Sequence, residues 1–219
     1  WGLTKSSNNI SAYLMKQYGP NAMVEMMRKM GVGSYLDPVY PLCVGSADIS
    51  VYEMVSAYNT FPSEGVYVSP IFVTRIEDNM GNVLGEFNNK KKEAISDYTA
   101  YLMANLMQGV VNSGTGVRLR TKYGLKGEIA GKTGTTNDKK DVYFAGYTPD
   151  FVACCWYGYD RNQVITASGN PAASLWNAVF KEIYTYYEKN EISYTKEFST
   201  PPSLVEDVEF CTVSGKLAT

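Results

Sequence analysis

Between Glu128 and Asp160 the chain repeats one pattern three times, and this constrains the fold more than any other feature. Three β-branched, aromatic-rich runs, EIAGKTGTT, DVYFAGYT and FVACCWYGYD, are joined through the short polar turns TNDKK and PD. Runs joined by so few residues neighbour each other as antiparallel strands, because a parallel return needs a crossover of a dozen residues or more. The segment AASLWNAVFKEIYTYYEKN then reads as a closing helix with a wide apolar face.

Upstream of this meander the apolar period is mostly helical. SSNNISAYLMKQYG places Ile10, Tyr13, Leu14 and Tyr18 at helical spacing, with Ser or Asn as cap and Gly19 as stop. PNAMVEMMRKMG opens on Pro20 and ends at Gly31, and its methionines read as core packing. Ser50 followed by Glu53 is a capping box and starts a third helix. YVSPIFVTRIED and NVLGEFN, joined by NMG, read as a β-hairpin. AISDYTAYLMANLMQGVV returns to helix with Asp97 as its cap, and NSGTGVRLR breaks it. Helices, then an antiparallel sheet, then a closing helix give an α+β fold. Residues 1–190 form the domain, and 191–219, with their prolines and serines, read as a loosely structured tail.

Composition narrows the function. A net charge of −2 over 219 residues offers no basic field for nucleic acid. No apolar run reaches the ~20 residues of a membrane span. The opening, WGLTKSSNN, has no initiator Met and no leader, and reads like the middle of a longer protein. There are no histidines, which removes Ser-His-Asp and Cys-His systems and most zinc sites. Four cysteines lack any C-x-x-C spacing; Cys154 and Cys155 on a strand face opposite sides and read as small buried residues. No metal site and no cofactor is implied. Acid–base chemistry therefore falls to lysine, tyrosine or carboxylates.

The stretch GKTGTTNDKKD, 131–141, carries the chemistry. On a strand Thr133 and Thr135 share a face, Gly134 lets another backbone approach, and Lys132 adds a cation. An extended peptide bearing a carboxylate fits such an edge: main-chain bonds hold the peptide, and lysine and hydroxyls hold the anion. A plain edge strand with solubilising residues is the alternative.

K-T-G is the third element of the signature S-x-x-K, S-x-N, K-T-G. Ser7-Asn8-Asn9 supplies a second element in the right order at the head of a helix; Ser6-Ser7-Asn8 overlaps it, in a register that fits less well. With these motifs the chain resembles the transpeptidase domain of class A penicillin-binding proteins. The resemblance extends over PLCVGSADISVYEMVSAYNTF, the Gly-Thr-Gly segment of MQGVVNSGTGVRLR, the strands after K-T-G, and SGKLAT at the end. Tyr143 stands where the family usually has tryptophan. The resemblance implies a partial penicillin-binding/β-lactamase-like transpeptidase fold that cross-links peptidoglycan stem peptides through an acyl-enzyme and binds β-lactam antibiotics. It implies Ser7 as the proton-shuttling serine, Asn9 on the substrate amide, Lys132 beside Ser7 and the substrate carboxylate, Thr133 and Thr135 on that carboxylate, and the Thr135 amide in the oxyanion hole. Gly134 and Thr136 complete the substrate-binding strand. The nucleophilic S-x-x-K has no place before Ser7, and SYTK at Ser193–Lys196 is a coincidence in the tail. The chain is thus expected to be inactive alone, a piece of a membrane-anchored protein working on the periplasmic face of the bacterial inner membrane. An inactive or sensor-type binding module, or a carboxypeptidase or β-lactamase-type hydrolase, is the alternative. By the same resemblance the strand at 152–159 lacks its outer neighbour, so a homodimer through that edge, or the tail laid along it, is expected.

Overall fold

The computed structural model describes residues 1–201, 208 and 211. Its main sheet is the expected meander: β5 (Ala130–Thr135), β6 (Asp141–Tyr147) and β7 (Val152–Gly158), antiparallel in the order β5-β6-β7. Lys132 faces Ala145 and Thr133 faces Phe144 across β5–β6, and Phe144 faces Cys155 across β6–β7.

The alternation along β6 explains how the sheet is covered. Val142 and Phe144 lie on one face and pack with Trp176 and Phe180 of α7 (Pro171–Lys189), and with Val111, Leu119 and Ile129. Trp176 stacks on Phe180 at 3.7 Å between ring centroids, and its indole N–H reaches the carbonyls of Gly146 and Ala153, both at 3.2 Å. Asn170 accepts from the Ala173 amide at 2.8 Å and caps the helix. Tyr147 lies on the opposite face with Ala104 and Met107 of α5 (Asp97–Ser113) and with Phe198. A third cluster, Met15, Val32, Leu36, Leu42 and Ala57, joins α2 (Asn8–Tyr18), the end of α3 (Pro20–Lys29), a 3-10 helix (Tyr40–Val44) and α4 (Val51–Tyr58).

Glu53 ties this helical part together. Both halves of the capping box form. The same carboxylate also accepts from the amides of Gly33 and Ser34 at 2.8 and 2.6 Å and from the Ser34 hydroxyl at 2.7 Å. The Ser34 and Ser50 hydroxyls hold its pKa down at about 2.

Several sequence expectations change. The cap of α5 is Ser96, whose hydroxyl accepts from the Thr99 amide at 3.2 Å; Asp97 is the first helical residue. The hairpin is confined to β2 (Arg75–Glu77) and β3 (Val83–Glu86). The residues before it form β1 (Val66–Val68), which pairs with β4 (Lys91–Glu93), a pairing too distant in sequence to be read from local pattern. Ile10, Tyr13, Leu14 and Tyr18 are exposed, and only Met15 of α2 is buried. The short helices α1 (Gly2–Lys5) and α6 (Arg118–Thr121) carry too few residues to show a period.

Among the described residues β7 pairs with β6 alone, and no described strand lies on its outer edge. The tail does not lie along that edge over its described part. The Thr195 amide donates to Asp150 at 2.7 Å, Lys196 O accepts from the Glu128 amide at 3.0 Å, and Phe198 is buried against Tyr147. Residues 191–201 thus have no regular secondary structure yet are pinned to the sheet. The SGKLAT resemblance lies outside the described residues.

Candidate active site

β5 is an edge strand, and its position is set by its flanks. Gly131 must lack a side chain, since a Cβ there would stand 2.7 Å from the Ala145 carbonyl oxygen. Behind β5 runs α5, and α1 is pressed against the end of α5. A Cβ on Gly114 would lie 2.3 Å from the Thr4 carbonyl oxygen, and one on Gly109 would lie 2.8 Å from the Thr4 hydroxyl. Lys5 Nζ donates to Ser113 O at 3.1 Å, and the Thr115 amide donates to Thr4 O at 3.3 Å. The chain thus brings its first seven residues beside a strand that starts at residue 130.

Lys132 is half-buried, and its ammonium donates to Ser6 Oγ at 2.7 Å and to Thr133 O at 2.9 Å. Both partners are neutral, and no carboxylate lies within ion-pair distance among the described residues. Burial lowers the lysine's pKa. The result is a half-buried cation with no counter-charge among the described residues, at the edge of β5.

The serine that meets Lys132 is Ser6, where the motif register pointed to Ser7. Ser6 ends α1 in the left-handed region at φ 56°, a conformation that non-glycine residues avoid, and its amide bonds back to Leu3 O at 3.1 Å. Ser7 is the N-cap of α2 without a side-chain cap bond, and its carbonyl accepts from Ser11. Asn9 is exposed in the first turn of α2. The structure therefore brings together Lys132 and Ser6; it does not place Ser7 in hydrogen-bond contact with the ammonium. An overlapping S-S-N-N string cannot reveal which serine adopts positive φ.

Thr133 and Thr135 share the face opposite Lys132, and both remain on the edge strand. Thr133 Oγ1 lies 2.7 Å from Thr115 Oγ1, and Thr135 is exposed at the strand end. Gly134 faces Tyr143, and a Cβ there would stand 3.2 Å from the tyrosine Cβ. The Tyr143 hydroxyl is buried with no partner among the described residues, and burial raises its pKa. Thr136 Oγ1 accepts from the amides of Lys140 and Asp141 at 3.0 and 2.9 Å, so its oxygen is committed to closing the β5–β6 turn. Thr4, Gly109, Gly114 and Thr115 escaped the sequence reading as site residues; the sequence signal was the pair of glycines in and after a helical pattern. In SYTK, Ser193 is exposed and Lys196 Nζ stands 5.8 Å over the Tyr194 ring, so the string forms no serine–lysine pair.

Among the described residues no cluster of three His, Cys, Asp or Glu could hold a metal ion, and no helix is long and apolar enough to cross a membrane. The chain is 31% identical to penicillin-binding protein 1A of Clostridium acetobutylicum over 183 residues, covering 82% of this chain and 22% of that protein. It is 32% identical to penicillin-binding protein 2D of Bacillus subtilis over 178 residues, covering 78% of this chain and 26% of that protein. It thus spans about a quarter of the length of the curated relatives it matches. The fold is shared with the crystal structure of penicillin-binding protein 1A from Haemophilus influenzae at a TM-score of 0.82 and 23% identity, over 99% of this chain and 38% of that one. The family model of the penicillin-binding protein transpeptidase domain matches residues 2–183, a span that takes in both Ser6 and the K-T-G strand, and the chain belongs to that family.

Proposed function

We propose that these residues form the carboxylate-holding and proton-handling half of a serine D,D-transpeptidase site. The observation that carries this is the Lys132 ammonium, 2.7 Å from Ser6 Oγ and with no carboxylate in ion-pair reach among the described residues, at the edge of a strand that presents Thr133 and Thr135. A donor peptide of the peptidoglycan stem lies along the β5 edge, its terminal carboxylate at the Thr133 and Thr135 hydroxyls and near the Lys132 ammonium, which reaches round the same edge to Thr133 O from the other face. The serine hydroxyl held by Lys132 passes a proton to the leaving amine as an acyl-enzyme forms, and the amine of a second stem later takes the acyl group. The edge amide of Thr135 fits the oxyanion. In this reading the attacking serine belongs to a part of the full-length protein other than these 219 residues. β-Lactams occupy the same groove. The work is done on the extracytoplasmic face of the membrane.

Penicillin acylation of the full-length protein tests this reading. Lys132→Ala lowers the acylation rate by about a hundredfold, in keeping with loss of a transition-state charge contact. Its melting free energy moves by less than about 1 kcal/mol, because the lysine has no ion pair to lose. An unchanged rate makes Lys132 a surface charge and ends the proposal. Ser6→Ala and Ser7→Ala decide the register: Ser6→Ala slows acylation far more, and the reverse order restores Ser7. Because burial lowers the pKa of Lys132, the cation is lost at a lower pH than that of an exposed lysine, so acylation falls earlier on the alkaline side. The 219-residue polypeptide alone takes up no fluorescent penicillin; a stoichiometric label on any of its serines, Ser193 included, overturns that expectation.

A further inference from the structure

We propose that Thr115 is a positioning residue that fixes the direction of the Thr133 hydroxyl proton. The inference rests on the carboxylate reading of β5 given above and adds a residue to it. Thr115 and Thr133 Oγ1 atoms are 2.7 Å apart, so one hydroxyl donates to the other. Each hydroxyl has one proton. If Thr133 donated to Thr115, it would turn only lone pairs toward an incoming carboxylate and would repel it. If Thr115 donates to Thr133, the Thr133 proton is free to point at the carboxylate, and accepting a bond makes that proton a better donor. A substrate carboxylate accepts only, so its arrival selects the second arrangement.

The placement of Thr115 is built. Its amide donates to Thr4 O at 3.3 Å, and the Gly116 amide donates to Val110 O at 2.9 Å. Gly114 admits the Thr4 carbonyl where a Cβ would stand 2.3 Å from it. The same contacts hold α1, which carries Ser6 at its end. One turn thus sets Thr133 on one face of β5 and supports the serine that meets Lys132 on the other. Thr115 is a solvent-exposed residue on no core face, so its side chain has no packing duty to confuse the test.

The test uses the full-length protein and two donor peptides, one with a free C-terminal carboxylate and one capped as the amide. Wild type prefers the free carboxylate. Thr115→Val shrinks the ratio of the two kcat/KM values about fivefold, through the KM of the carboxylate peptide, as expected for one neutral hydrogen bond. Thr115→Ser, which keeps the hydroxyl, restores the ratio. An equal fall for both peptides makes Thr115 a structural residue and overturns the proposal, as does no fall at all. A wild type that does not distinguish the two peptides removes the carboxylate clamp itself, and the relay with it.

Discussion

Two helices show the same kind of apolar pattern and have opposite fates. α7 buries Ala172, Trp176 and Phe180 against the sheet and is capped by the Asn170 side chain. α2 leaves Ile10, Tyr13, Leu14 and Tyr18 exposed, buries Met15 alone, and has no side-chain cap bond. An amphipathic period tells that a face is to be covered; what covers it is a property of the rest of the fold. α7 follows the sheet directly and meets it. α2 precedes it by more than a hundred residues, and its neighbours supply only the Met15 cluster.

The largest effect that sharpens the contrast is at Trp176. It is fully buried, stacked on Phe180, and donates to two strand carbonyls. Trp176→Ala leaves a cavity and two carbonyls without this donor, and costs about 4 kcal/mol of unfolding free energy in a denaturant titration. A loss under about 1 kcal/mol would mean that α7 does not depend on the sheet it covers.

Glu53 comes next. Glu53→Gln removes the charge that organises the 33–34 turn and the start of α4, and costs about 2 kcal/mol at neutral pH. Its folded pKa of about 2 lies below the ordinary value of 4.5. The stabilisation is therefore complete above pH 4.5 and is lost as pH falls toward 2. The gap between wild type and Glu53→Gln closes over that window. A gap that stays constant down to pH 2 shows that the carboxylate's charge is not what holds the turn.

These cases show which parts of the fold sequence can carry. The capping box at Ser50 and Glu53 is local, so four residues reveal it. The β5–β6–β7 meander is nearly as local, because its turns are short and its strands alternate. The β1–β4 pairing is not: three-residue strands bracket a hairpin, and no local pattern sets their register. Within the site, K-T-G marked Lys132 and Thr133, but the partners Ser6 and Thr115 are chosen by a positive φ and by glycine clearances at Gly109 and Gly114. Neither quantity is a string of residue types.

The β7 edge gives a smaller effect. Among the described residues the strand has one partner, and it carries the exposed Trp156 and Tyr157. Unpaired edges of this kind associate. The 219-residue polypeptide is expected to sediment as a dimer or larger species. A monomer whose Val152–Gly158 amides exchange rapidly shows the edge tolerated as it stands.

The smallest effect is on the exposed stripe of α2, and it tests most directly how α2 differs from α7. In the structure Tyr13 and Tyr18 are more than two-thirds exposed, at 67% and 69%, and Leu14 is 46% exposed. Little area returns to water when these side chains are cut, so Tyr13→Ser or Leu14→Ser shifts the stability of the 219-residue polypeptide by less than about 0.5 kcal/mol. The curated relatives are about three to four times as long, and a stripe at i, i+3, i+4 and i+8 is shaped to be buried. In the full-length protein the same substitutions cost about 1.5 to 3 kcal/mol each, the value of covering a large apolar side chain. The measurement is paired denaturant titrations of both lengths. Equal, negligible costs in both mean that nothing covers α2 and that its pattern is a surface feature. A cost already present in the shorter polypeptide means that α2 is covered there by a contact the structure does not show.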